Sequence, residues 1–106
     1  MARALINLPS TARPGEVIEI KTLIQHPMET GFRPGPNGQM LPRDIITRFV
    51  CSYDDAEIFV ADLHPAIAAN PFLTFTTVAT ASGTLRFTWS GDNGFVQTET
   101  RTLTVA

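Results

Sequence analysis

The side chains with most capacity for chemistry are His26, His64 and Cys51, with Glu29, Asp62, Asp54, Asp55, Met28 and Met40 around them. Each histidine precedes a proline, His26-Pro27 in HPMETG and His64-Pro65 in HPAIAANP. The two histidines with Glu29 or Asp62 reach the three or four ligands that a zinc site needs, yet no close-spaced pair such as H-x-x-x-H occurs. A copper site of two His, one Cys and an axial Met is poorly served, because Cys51 falls mid-strand and away from both His-Pro loops. The competing reading is that each histidine hydrogen-bonds backbone and shapes its own loop. Cys51 lacks the helix N-terminus or neighbouring cations that make a reactive thiolate. Alternating with Phe49 and Tyr53, it reads as a small buried hydrophobe, and the sharper alternative is a disulfide to another chain. GPNG and GDNG are turn chemistry rather than phosphate-cradling loops. Asp54-Asp55 reads as a solvated turn. Met28 and Met40 bracket a long loop, where exposed methionines would suit an adaptable protein surface. Nothing here resembles an enzyme centre, and no catalytic residue, cofactor or metal is expected.

The elements that must carry these residues read as strands. Ala4–Leu8 is a first strand, stopped by Pro9. The stretch TARPG is a turn, with Pro14-Gly15 placed as a type II turn would place them. Glu16–Gln25 is the second strand, with Ile18, Ile20, Thr22 and Ile24 on one face and Glu19 and Lys21 on the other. Pro27 ends it, since proline cannot donate to a ladder and biases His26 toward extended geometry. From His26 to Pro42 the chain holds four of its 8 prolines, Pro27, Pro34, Pro36 and Pro42, with Gly31, Gly35 and Gly38. A connection this long is unusual in a compact domain and reads as functional. Ile45–Tyr53 alternates again, placing Ile45, Thr47, Phe49, Cys51 and Tyr53 on one side and Asp44, Ile46, Arg48, Val50 and Ser52 on the other. Glu57–Leu63 and Phe72–Thr80 follow, then a strand with Leu85, Phe87 and Trp89 facing inward, then Phe95–Val105. Pro65–Asn70 has room for one helical turn.

About seven short strands at near-regular spacing, with Trp89 inward, predict an all-β, antiparallel, immunoglobulin-like β-sandwich. If successive strands alternate in direction, both His-Pro loops and the GDNG turn gather at one end. TARPG, Asp54-Asp55 and Ala81–Gly83 gather at the other. Binding residues concentrate on loops carried by a rigid scaffold, so the His-Pro end is the expected site: His26, Pro27, Met28, Glu29, Thr30, Gly31, Arg43, His64, Pro65 and Asn70.

The chain has 106 residues and 43% hydrophobic side chains, enough for one core without a metal or disulfide staple, and reads as a single domain over residues 1–106. A net charge of −2 and a pI near 5.5 leave no basic footprint for nucleic acid. No apolar run approaches the roughly 20 residues of a membrane helix. Met1–Pro9 is short and polar for a secretory signal, which alone would point to the cytoplasm. One cysteine excludes an internal disulfide.

Three stretches go further: EVIEIKTLIQHPMETGFR, LPRDIITRFVCSYDDAEIFVADLHPAIAANPFLTF and ASGTLRFTWSGDNG. From the TARPGE turn to the last strand the chain resembles the SoxZ family, with HPMETG and DLHPAIAANP as the specific parts. Asp54-Asp55, where an Asn-Gly-like turn is more usual, is a small departure. The resemblance implies an immunoglobulin-like sandwich without catalysis of its own, the small subunit of the SoxYZ sulfur carrier of bacterial thiosulfate oxidation. It implies a SoxY-like partner whose cysteine sits on a glycine-rich arm, and transient docking to the pathway's cytochrome, hydrolase and dehydrogenase components. The ending Arg101–Ala106 lacks a Gly-Gly-Cys-Gly-Gly tail, as expected of the Z-like chain or of a fused form. The resemblance also implies a periplasmic location, reached on the partner's signal, which reverses the compartment read from the N-terminus. On this reading the His-Pro end contacts the partner or the enzymes, Met28→Ala or His64→Ala weakens heterodimer formation or turnover while leaving the fold intact, and the isolated chain can self-associate.

Overall fold

The computed structural model describes residues 3–65, 67 and 69–106. Among the described residues the alternating segments form eight strands: β1 (Ala4–Asn7), β2 (Thr11–Ala12), β3 (Val17–Ile24), β4 (Ile46–Tyr53), β5 (Ala56–Asp62), β6 (Phe72–Val78), β7 (Gly83–Gly91) and β8 (Val96–Val105). They make two sheets, a three-stranded one in the order β1-β3-β6 and a five-stranded one in the order β2-β8-β7-β4-β5. The expected sandwich is present. Its additional strand, β2, lies inside the segment read as a turn. After β1 the chain crosses to the other sheet and pairs Thr11 with Thr104 and Ala12 with Val105 in parallel, burying Ala12.

The strict alternation of β3 is realised. Ile18, Ile20, Thr22 and Ile24 are buried while Val17, Glu19 and Lys21 face solvent. These meet Leu85, Phe87 and Trp89 of β7, all fully buried, across the interior. Phe49 of β4 occupies the centre, with ring centroids 5.1 Å from Trp89 and 5.9 Å from Phe75 of the opposite sheet. Phe59 of β5 stacks on Phe75 at 4.3 Å, nearly parallel, so aromatic contacts bridge the two layers.

One assignment of face is corrected. Ile46 does not point outward with Arg48 and Val50. The β4–β7 register shifts between Ile46 and Arg48, and this bulge turns Ile45 and Ile46 both into the core. The expected helical turn over Pro65–Asn70 includes residues 66 and 68, which lie outside the described residues. Around them, the Ile67 amide donates to the His64 carbonyl at 3.0 Å.

The molecule measures 58 × 20 × 20 Å, with a radius of gyration of 16.1 Å, against about 13 Å for a compact domain of this size. An eight-residue strand spans only about 26 Å. The proline- and glycine-rich connection folds back on itself as a largely exposed, irregular ribbon. Glu29 and Asp44 exchange backbone hydrogen bonds at 2.8 and 2.7 Å, the Leu41 amide donates to the Arg33 carbonyl, and Pro34 bridges to Met40.

At the far end, Asp54 and Asp55 both have positive φ, as a two-residue type I′ hairpin requires. The Tyr53 hydroxyl donates to the Ala81 carbonyl and accepts from the Thr80 and Ala81 amides, tying this hairpin to the β6–β7 turn. Tyr53→Phe leaves those groups short of a partner and is expected to cost about 1–3 kcal/mol, measured by urea unfolding at neutral pH.

Candidate functional site

The end carrying both His-Pro loops is built outward from His26. Its side chain is buried on the edge of Phe95, with ring centroids 5.1 Å apart. The His26 amide donates to Asn70 Oδ1 at 2.9 Å, and the Asn70 amide donates back to the His26 carbonyl at 2.8 Å. One histidine loop is thereby zipped to the last residues of the other. Nδ1 of His26 accepts the Met28 amide at 3.0 Å. A ring nitrogen that accepts carries no proton, so in the neutral ring the hydrogen sits on Nε2, which lies 3.8 Å from Asp44 Oδ1.

That bond curls the chain. Met28 adopts φ 51°, a conformation uncommon outside glycine and asparagine, and its side chain is driven inward rather than out. Sδ of Met28 accepts the Ile46 amide at 3.3 Å, the amide presented by the bulge at the start of β4. The exposed role expected of Met28 is therefore corrected, because Met28 is 4% exposed whereas Met40 is 58% exposed.

The third loop is fastened by charge. Arg43 donates from Nε and Nη2 to the two carboxylate oxygens of Asp92, each at 2.8 Å, and Asp92 also accepts the Ile45 amide at 3.1 Å. The Arg43 bond first and the Ile45 amide next hold the Asp92 carboxyl below its ordinary range, and the same ion pair raises Arg43. Gly31 stands at φ 87°, and a Cβ there would come within 3.1 Å of Arg43 Cβ, so this crossing favours glycine. Glu29 pairs with Arg33 at 2.6 Å, and the Arg33 hydrogen bond lowers the Glu29 carboxyl. Thr30 Oγ1 accepts the Phe32 amide. Pro27 is exposed.

His26, Met28, Glu29, Arg43 and Asn70 are thus joined in one bonded assembly, with Gly31 packed close against Arg43. His64 and Pro65 stand apart from that network, His64 exposed and Pro65 half-buried after β5, where the Leu63 amide anchors to the Thr47 carbonyl beside the start of β4. Asp44, Asp92 and Phe95 belong to the assembly and were not singled out as site residues. The GDNG turn marked Asp92 only as a turn residue, and its partner Arg43 lies 49 positions away. Among the described residues no group of three or more His, Cys, Asp or Glu side chains is arranged to hold a metal ion. Cys51 is fully buried, and burial pushes its thiol up to about 12. Those features fit the small-hydrophobe reading, and a bond to another chain would require the core to open.

A family model described as sulphur oxidation protein SoxZ matches residues 6–102, nearly the whole chain. The chain belongs to the SoxZ family. A search among curated protein sequences found no match. Among solved structures, this SoxZ-family chain is similar to the superoxide reductase (neelaredoxin) from Ignicoccus hospitalis, with TM-score 0.76 and 14% identity over 97% of this chain and 80% of that one. It is similar also to the sulfur carrier protein SoxY from Chlorobium limicola f thiosulfatophilum, with TM-score 0.69 and 12% identity over 97% of this chain and 78% of that one. At such identities the likeness is one of fold.

Two outcomes test this assembly in the SoxZ-family chain. Met28→Ala empties a buried position and removes the acceptor for the Ile46 amide, so it is expected to lower stability by about 2–5 kcal/mol, read from chemical denaturation. Asp92, depressed in the folded chain below its usual 3.8, contributes stability that is complete above the unfolded value and is lost as pH falls through the folded one. The stability gap between the native chain and Asp92→Asn, followed by denaturation from neutral pH downward, should therefore hold steady and then close in acid below that value.

Proposed function

We propose that this chain is the non-catalytic subunit of a two-chain sulfur carrier in thiosulfate oxidation. It pairs one-to-one with a SoxY-like chain, supports that partner's cysteine-bearing arm, and docks transiently to the cytochrome, hydrolase and dehydrogenase components. The near-complete match to the SoxZ family carries this reading. A location in the periplasm, reached with a signal-bearing partner, is part of the proposal.

The physical case rests on what the molecule offers and what it withholds. Its cysteine, Cys51, is buried with its thiol raised to about 12, which makes it a poor carrier of covalently bound sulfur and supports the reading that a partner's arm carries it. What it presents is a firmly bonded sandwich end and a projecting ribbon on which Phe32 is 75% and Met40 58% exposed. Large aromatic and methionine side chains at the surface are favoured at protein contacts. A mobile arm needs a stable platform with a common docking face, and such a platform needs no catalytic group.

Co-expression with a SoxY-like chain followed by native mass spectrometry is expected to give a one-to-one complex of the same mass with and without reductant. A double substitution, Phe32→Ser with Met40→Ser, is expected to weaken that complex or its turnover by pathway enzymes at least about tenfold, roughly 1.4 kcal/mol, without altering the unfolding midpoint. A persistent free monomer in the co-expression would overturn the carrier-subunit reading.

A further inference from the structure

The three-stranded sheet ends on β6, and this edge carries none of the devices that normally keep a sheet edge from pairing. Such edges are blunted by charged side chains, proline, a bulge or short length. β6 is Phe-Leu-Thr-Phe-Thr-Thr-Val, seven residues with no charge, glycine or proline. Its register with β3 runs unbroken from Leu23 opposite Phe72 to Val17 opposite Val78. The other edges are managed differently. β1 has four residues and β2 two, while β5 carries Glu57 and Asp62 and is itself bulged at Ile58, where its register with β4 shifts.

Flanking bonds reveal which backbone groups of β6 are spare. The Ile24 amide donates to the Pro71 carbonyl and the Ala79 amide donates to the Glu16 carbonyl. In an antiparallel ladder the hydrogen-bonded positions alternate, so Leu73, Phe75 and Thr77 share the bonding side of Pro71 and Ala79. The N–H and C=O groups of Phe72, Thr74, Thr76 and Val78 therefore point away from β3. Among the described residues no other segment pairs with that side.

We infer that this edge pairs antiparallel with β6 of a second copy of the same chain, centred on Phe75. About that centre the sequence is self-complementary. Phe72 faces Val78 of the second copy and Thr74 faces its Thr76, so all four outward-bonding residues of each strand meet outward-bonding partners and each pair exchanges both backbone hydrogen bonds. Aromatic–β-branched and Thr–Thr neighbours are favourable cross-strand pairs. The same register resolves a second feature of the surface. On the outer face of the sheet, Leu5 lies opposite Leu23 and Leu23 opposite Phe72, while Val17 lies opposite Val78. Pairing about Phe75 joins these into one apolar row, Leu5, Leu23 and Phe72 followed by Val78 and Val17 of the second copy. The twofold axis generates the row twice. Leu5, Val17, Phe72 and Val78, each between 47% and 63% exposed, are four of the large apolar side chains left at the surface of the single chain, and one contact aligns them all. A twofold edge contact of this kind is closed and self-limiting.

The inference is independent of the sulfur-carrier reading, and its test keeps the two apart. The isolated chain is followed by sedimentation equilibrium over a micromolar-to-millimolar series, with amide exchange measured by NMR at both extremes. A concentration-dependent dimer is expected. The amides of Phe72, Thr74, Thr76 and Val78 should exchange fast at low concentration and slowly at high concentration, while those of Leu73, Phe75 and Thr77 stay protected throughout. Thr76→Pro removes an outward N–H without breaking an internal bond, and Thr76→Lys adds a charge to the edge; each should weaken dimerisation at least tenfold. A chain that is monomeric across the series, or a dimer indifferent to both substitutions, overturns the inference. So does protection of the four outward amides only when a SoxY-like chain is added, a result that would leave the carrier reading standing.

Discussion

One hydrogen bond, from the Met28 amide to Nδ1 of His26, sets the geometry of the whole His-Pro end. Because the ring nitrogen accepts, the chain must turn back over the ring immediately after Pro27, and Met28 takes up a left-handed conformation. The turn sends the Met28 side chain into the core, where its sulfur takes the Ile46 amide. The ring is held in turn by Phe95 and by the paired bonds between His26 and Asn70. A left-handed methionine is costly taken alone. It persists because the ring, the asparagine and the bulge all over-determine it.

From this anchor the ribbon can project without being packed along its length. Glu29 and Asp44 close its base by mutual backbone bonds, and Arg43 locks the adjacent strand entrance to Asp92 through a bidentate ion pair. The result divides labour along the chain. Residues at the base, His26, Met28, Arg43 and Asn70, are committed to internal bonds, and residues farther out, Phe32 and Met40, are left facing solvent. In the first histidine loop the His26 ring thus positions Met28, and Met28 in turn meets the Ile46 amide. Cys51, likewise, is a core filler between the two aromatic positions of its strand.

The sandwich leaves its edges unequally guarded, and this matters for a chain read as one member of an assembly. Charge and a bulge attend β5, shortness attends β1 and β2, and β6 is open. An uncharged edge flanked by exposed apolar side chains is a template for pairing, which is why β6 is the edge from which self-association is proposed.

The strands and their inward faces were legible from the residues because a period of two needs only local pattern: Ile18, Ile20, Thr22 and Ile24 in β3, and Leu85, Phe87 and Trp89 in β7, are buried as that period requires. The family, too, was legible, since HPMETG and DLHPAIAANP are contiguous strings. The gathering of both His-Pro loops and the GDNG turn at one end followed from strand alternation alone. What local pattern could not decide were the events that depend on partners distant in sequence. The bulge that turns Ile46 inward arises against β7, the burial of Met28 depends on that bulge, and Asp92 matters because Arg43 crosses 49 positions to meet it. The crossing that makes Thr11-Ala12 a strand needs β8 beside it. Sequence by itself determined which residues alternate and so which fold forms; only the tertiary structure decided which loop residues are spent on internal bonds and which stay exposed, because a hydrogen bond or a buried contact exists only once both of its ends have been brought together.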